Sequence, residues 1–315
     1  MKAEPGTTIR VFAPATVANV ACGFDSLGFA INEPGDELVL TLTEKPGVRI
    51  IEITGDGGRL PLDAEKNTAG VSVIKLWQKL QPEFGLEMKL HKKMPLGSGL
   101  GSSSASSVAS VFGANELLGN PLSRKDLLPF AMEGERLACG VAHADNAGPS
   151  LMGGFVLIRS YDPLDVIQLP NPPELFCAVV HPHVEIMTED ARKVLRRRIR
   201  LEDAVVQWSN LGGLISGLYT SDYALIGRSL NDIIFEPVRS LLIPGFDQMK
   251  QAAMDSGALG CSISGSGPSV FALAKGEESA RAAGQAMQEA LKPLGLDSDL
   301  FISPVNAEGP RVLKD

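Results

Sequence analysis

The chain predicts a protein of mixed helices and strands in two domains, and three features lead there. Its opening stretch is rich in strand signals. A strand then runs into a glycine and serine loop and an apolar helix. A proline cluster in mid-chain separates that half from a second set of helical and strand-like segments.

Ile9–Val17, Glu37–Leu42 and Val48–Ile53 are β-branched or alternating stretches set apart by Gly and Pro, which predicts strands. Asn67–Leu80 places Val71, Ile74, Leu76, Trp77 and Leu80 at helical spacing behind Asn67 as N-cap. Leu86–Lys93 alternates into Met94-Pro95, and Ser102–Leu118 is dense in Ala, Ser and Val up to the breaker Gly119. Leu122–Cys139 predicts another helix, and Gly153–Arg159 and Phe176–His181 predict buried strands. The prolines of L-P-N-P-P-E-L (Pro170, Pro172, Pro173) favour an extended connection and divide the chain into 1–170 and 171–315. Beyond them come helices over Glu189–Leu201 and Ala204–Leu218, a strand at Cys261–Ile263, a G-S-G-P turn, a strand at Ser269–Ala274 and a helix at Glu277–Leu291. The basic run Arg192 to Arg200 carries Val194, Leu195 and Ile199 between its charges, which predicts an amphipathic helix with a charged outer face.

At 315 residues and 44% hydrophobic composition the chain can build a sizeable core in two domains. A net charge of -8 and a pI near 5.2 argue against nucleic acid as the main partner, so an anionic ligand has to be held by local groups. No run approaches the roughly twenty apolar residues of a membrane span, and the N-terminus M-K-A-E-P-G-T-T-I-R lacks the apolar stretch of a signal peptide. Cys22, Cys139, Cys177 and Cys261 lie far apart with no C-x-x-C spacing, so a reducing cytoplasm is the expected setting.

The chemistry concentrates in P-L-G-S-G-L-G-S-S-S, that is Pro95, Leu96, Gly97, Ser98, Gly99, Leu100, Gly101, Ser102, Ser103 and Ser104. Backbone N–H groups reach phosphate oxygens only where side chains leave room, and the three glycines leave it. The following helix aims its unpaired N–H groups and its dipole at the same anion. Serine hydroxyls can donate to phosphate or coordinate Mg²⁺. No lysine sits inside the loop, so the G-x-x-x-x-G-K-[ST] pattern is excluded, and G-x-G-x-x-G is not matched either. A plain Gly/Ser turn would not require the strand before it and the unbroken apolar helix behind it.

This loop resembles the central motif of the GHMP kinases, the small-molecule kinases that act on galactose, homoserine, mevalonate and phosphomevalonate. Val11–Ile31, V-F-A-P-A-T-V-A-N-V-A-C-G-F-D-S-L-G-F-A-I, is similar to the family's first motif in its homoserine kinase form, and Ser262–Leu273 is similar to the third motif. H-A-D-N (His143–Asn146), T-E-D-A-R (Thr188–Arg192) and E-P-V-R-S-L-L-I-P (Glu236–Pro244) resemble the homoserine kinase branch rather than the sugar or isoprenoid branches. The similarity spans nearly the whole chain.

The resemblance implies an α+β fold: an N-terminal nucleotide-binding domain of the ribosomal-protein-S5 domain-2 type and a C-terminal ferredoxin-like domain. It implies ATP as phosphoryl donor, L-homoserine as acceptor, and Mg²⁺ on Ser103 and Glu135. Asn67 matches the residue that meets the adenine. Asn19, Asp25, His143, Thr188, Arg192 and Arg239 match the substrate contacts, the arginines on the carboxylate side and Asp25 suited to the ammonium. Asn146 and Arg192 are expected to orient the substrate and stabilise transition-state charge. Asp145 lies where the mevalonate and galactose branches place a base, but homoserine kinases are often described as working without one, the phosphate taking the proton itself, and the turn of H-A-D-N would equally explain Asp145. The sequence leaves the oligomeric state open, a homodimer among the alternatives. Another GHMP small-molecule kinase, or a non-catalytic ligand-binding protein on this fold, are the alternatives the sequence leaves open.

Overall fold

The computed structural model describes residues 3–140, 142–196, 198–305 and 308–314. Alternating apolar residues start the first sheet: β1 (Thr8–Ala18) pairs antiparallel with β2 (Leu27–Thr43), which runs far beyond the short stretch expected from Glu37. The signal breaks at Glu33-Pro34-Gly35, where the β1–β2 ladder shifts register between Pro14 and Thr16, an irregularity that admits Pro and Gly inside a strand. β3 (Val48–Thr54) lies parallel to β4 (Gly85–His91), and β4 lies antiparallel to β2. Between them runs α1 (Thr68–Leu80), capped by the Asn67 side chain accepting from Ala69 N. After the glycine loop, α2 (Ser102–Leu117) packs on β1 and β2 and against α1 and α3 (Arg124–Cys139). Its Ala, Ser and Gly content lets it be buried on nearly every side.

The short α4 (Ala147–Met152) leads into the hairpin β5 (Phe155–Tyr161) and β6 (Leu164–Leu169), which joins the sheet through the start of β2. The proline segment follows, and β7 (Leu175–Pro182) opens a second, antiparallel sheet. The helices α5 (Thr188–Lys193), α6 (Leu201–Thr220), α7 (Tyr223–Ser229), α8 (Glu236–Arg239) and α9 (Phe246–Asp255) come next. Then β8 (Gly260–Ile263), β9 (Val270–Lys275), α10 (Glu277–Leu291) and β10 (Ser298–Pro304) complete the order β10-β7-β9-β8. The last strand, β11 (Arg311–Leu313), returns to pair with β1 in the first sheet. Phe29 joins the layers, its ring 4.8 Å from Phe155 and edge-on to Phe271 at 6.0 Å. The arrangement is α+β.

One expected element is corrected. The helix predicted over Glu189–Leu201 stops at Lys193, and the described residues before Leu201 are not helical. Val194 and Ile199 are exposed, so the apolar face read from the basic run has no core to cover and helix propensity alone does not hold it. Arg197 lies outside the described residues.

Candidate active site

A cleft of about 880 Å³ gathers the loop, α2, the first motif and the segments around Asp145, Thr188 and Gly265. Gly97, Gly99 and Gly101 all have positive φ, at 69°, 77° and 70°. At Gly101 the requirement is double, since a Cβ there would lie 2.2 Å from Thr16 Oγ1 and 2.8 Å from Asn146 Oδ1. The third motif braces the loop: Ser264 Oγ donates to Gly99 O at 2.8 Å and Ser269 N to Ser98 O at 3.2 Å. α2 therefore opens on the cleft with no side-chain cap on its first N–H groups, the arrangement that receives an anion.

Ser103 and Ser104 both donate to Glu135 Oε1, at 2.8 and 2.6 Å, drawing the start of α2 to the buried Glu135 of α3. Beneath the same turn Lys92 forms a buried ion pair with Asp36 and donates to Ser102 O at 2.9 Å and Ser106 Oγ at 2.7 Å. Lys92, just past the end of β4, thus braces the first turn of α2 from inside the fold, its ammonium satisfied by Asp36, Ser102 and Ser106. Motif spacing does not disclose it, because Lys92 and Asp36 meet only through the β2–β4 ladder.

At the other end Arg192 donates two hydrogen bonds to the Asp25 carboxylate, 2.9 and 3.3 Å long. His143 Nδ1 lies 3.8 Å from that carboxylate, and burial, with Arg192 and Arg239 opposing Asp25, lowers its basicity, so the ring is neutral near pH 7. Arg239 is buried, stacks over Phe24 at 4.8 Å and donates to Ala191 O and Gly265 O; burial, then Arg192, bring its pKa down to about 10. It keeps its charge at neutral pH. Asn19 bridges Gly265 O and Asp25 N through its amide, and both Asn19 and Asp25 hold positive φ, 71° and 54°. Thr188 faces Ser266 at 3.3 Å.

Between these ends Asn146 Oδ1 accepts from Thr16 Oγ1 at 2.7 Å. Asp145 is 4% exposed, and burial, reinforced by Asp25 and Glu135, pushes its carboxyl up to about 7. Asn67 lines the cleft, although its amide already caps α1 and donates to Pro61 O at 3.1 Å.

Most residues singled out in the sequence line this one cleft, and three do not. Pro95 lies outside its lining, Leu100 is buried with its carbonyl accepting from Thr16 N, and Ser104 is buried against Glu135. Among the lining residues not singled out in the sequence are Arg59 and Glu185, paired at 3.0 Å over Gly97, which come from loops that no motif marks.

The family model "GHMP kinases N terminal domain" matches residues 69–154, and "GHMP kinases C terminal" matches residues 214–293. The chain is 54% identical to a homoserine kinase of Chlorobium phaeovibrioides over 97% of this chain and 99% of the relative. It is 51% identical to one of Chlorobaculum tepidum over 97% of this chain and 98% of the relative. Among solved structures, a homoserine kinase from Cytophaga hutchinsonii superposes with a TM-score of 0.96 at 60% identity, covering 99% of this chain and 98% of that one. An L. major mevalonate kinase superposes at 0.71 and 16% identity, over 96% of this chain and 99% of that one, which concerns the fold alone. With its glycine loop at the start of α2, its opposed charges and relatives of this identity over almost its full length, the chain belongs to the GHMP kinases.

Proposed function

We propose that the chain transfers the γ-phosphoryl group of ATP to the side-chain hydroxyl of L-homoserine, giving O-phospho-L-homoserine for threonine biosynthesis. The observation that carries this reading is a single cleft with an anion-receiving helix start at one end and opposed carboxylate and guanidinium groups at the other. Asp25 and Arg192 meet each other there. A zwitterion entering between them exchanges one ion pair for two, its ammonium on Asp25 and its carboxylate on Arg192, with Arg239 adding positive charge behind. Residues 1–170 would form the nucleotide lobe and the chain from 171 the second lobe, the division at 171–315 being corrected at its end, where β11 returns to the first sheet.

Phosphoryl transfer rests on position and charge. The loop's N–H groups and the start of α2 would hold the phosphates, with Asn67 at the base. Asn146, fixed by Thr16, and Arg192 would orient the hydroxyl and offset charge on the transferring group. Asp145 is the candidate proton acceptor, since a carboxyl with a pKa of about 7 takes a proton near neutral pH. Ser103 and Glu135 offer only oxygen, the donor Mg²⁺ prefers, and no group of three or more His, Cys, Asp or Glu suited to a metal occurs among the described residues. These two would hold the ion, the rest of its shell coming from phosphate and water. Bound there, Mg²⁺ supplies charge neutralisation at the phosphates.

A homodimer has a candidate face on α6, where Leu201, Val205, Trp208 and Tyr219 are exposed. The cytoplasmic setting is supported by Cys22, Cys177 and Cys261, all buried and unbridged.

Purified protein given ATP, Mg²⁺ and homoserine should release ADP and O-phosphohomoserine in equal amounts. Turnover of mevalonate or galactose with none of homoserine overturns the proposal.

A further inference from the structure

Asp25 and Asp145 reach the cleft on two loops far apart in sequence, and one hydroxyl joins those loops. Tyr161 Oη donates to Asp25 O at 3.0 Å and accepts from Ala144 N at 3.2 Å. Ala144 sits between His143 and Asp145, and the Tyr161 ring stands edge-on to His143 at 6.3 Å. The fold explains how the phenol arrives there. β5 pairs with β2 only from Phe155 to Leu157, so its far end runs past the start of β2, where Ile158 N donates to Ser26 O at 2.7 Å. Tyr161, the last residue of β5, is thereby carried to the substrate loop.

We propose that Tyr161 is a positioning residue for the homoserine end of the site, holding Asp25 and the His143–Asn146 turn in one register through its hydroxyl. Asp25 needs such a hold. Its left-handed backbone is costly for a residue with a side chain and persists only where its neighbours fix it. Asn19 Oδ1 accepts from its N–H and Tyr161 donates to its C=O, so the peptide is pinned on both sides while the carboxylate stays directed at Arg192. Burial and the neighbouring Asp145 move the phenol's ionisation further above its ordinary value, so the hydroxyl keeps the proton it donates. The two hydrogen bonds of the Tyr161 hydroxyl go to Asp25 and Ala144 and neither goes to the glycine loop, so the larger effect belongs to the amino-acid substrate.

The inference rests on homoserine as substrate and is tested with Tyr161→Phe, which keeps the ring and removes only the hydroxyl. Tyr223→Phe is the matched control: Tyr223 Oη accepts from Glu174 N at 3.1 Å, away from the cleft. Loss of the two hydrogen bonds should raise KM for homoserine by roughly five- to tenfold, with KM for ATP and the melting temperature of the free protein close to the parent's. Tyr223→Phe should leave KM for homoserine unchanged. An unchanged homoserine KM in Tyr161→Phe, an equal rise in both KM values, or an equal effect of Tyr223→Phe overturns the proposal. If the parent itself does not turn over homoserine, the substrate reading fails, and this inference with it.

Discussion

Replacing Asp145 by Asn should stabilise the protein at alkaline pH while impairing it as a catalyst. An ordinary aspartate has a pKa of 3.8, and burial, with Asp25 and Glu135 nearby, raises this one to about 7. At ~1.4 kcal/mol for each tenfold, ionised Asp145 costs the folded state ~4 kcal/mol. The sign follows from proton counting. Between 3.8 and 7 the folded protein holds a proton that the unfolded chain has released, so stability falls as pH rises through that window. The cost is absent below 3.8 and complete above 7. Unfolding entropy of ~2.1 cal/mol/K per residue converts ~4 kcal/mol in a chain of this length to about 6 °C. In EDTA without nucleotide, Asp145→Asn should therefore melt about 6 °C above the parent at pH 8 and within about 2 °C of it at pH 4.5. Differential scanning calorimetry across that range is the assay. A gap that does not change with pH, or an Asn variant that melts lower at pH 8, refutes the argument by showing that Asp145 is ionised and well paired in the fold.

Other outcomes follow from the same geometry. Arg192→Ala should raise KM for homoserine by roughly ten- to a hundredfold and lower kcat, since a charge-assisted bidentate contact is lost; unchanged steady-state kinetics would remove Arg192 from the site. In Glu135→Gln the Mg²⁺ titration should shift at least about tenfold to higher metal with little change in KM for homoserine; superimposable titration curves would end the metal assignment. For Gly101→Ala, a left-handed backbone costs ~1–2 kcal/mol even before the contact with Thr16 is counted, so kcat/KM should fall about tenfold or more; parent-like turnover would mean that the loop adjusts freely. Trp208→Glu should convert a dimeric parent to monomer in sedimentation equilibrium, and a monomeric parent or an unaffected dimer refutes the α6 face.

Local chemistry was legible wherever it was consecutive. The glycine loop, the Asn67 cap and the helices behind them could be read because phosphate binding, capping and helix periodicity each act within a few residues. The short β6 was missed because it lies just beyond a Pro-containing turn and offers only a brief pattern. The basic run after Arg192 misled in the other direction: apolar periodicity predicts a helix only when something covers its face, and Val194 and Ile199 are uncovered.

The sequence by itself determined the glycine loop and the helix start behind it, the α+β pattern and the membership that its ordered motifs imply. Only the tertiary structure decided that Lys92 and Asp36 lie beneath the loop, that Asp25 and Arg192 face each other, that Asp145 is buried enough for its pKa to rise to about 7, and that Tyr161 ties the Asp25 loop to the turn before Asp145. Those outcomes depend on strand register, burial and distances between segments far apart in the chain. Coulomb energy, desolvation and hydrogen bonding act on distance and exposure, and no stretch of consecutive residues carries either.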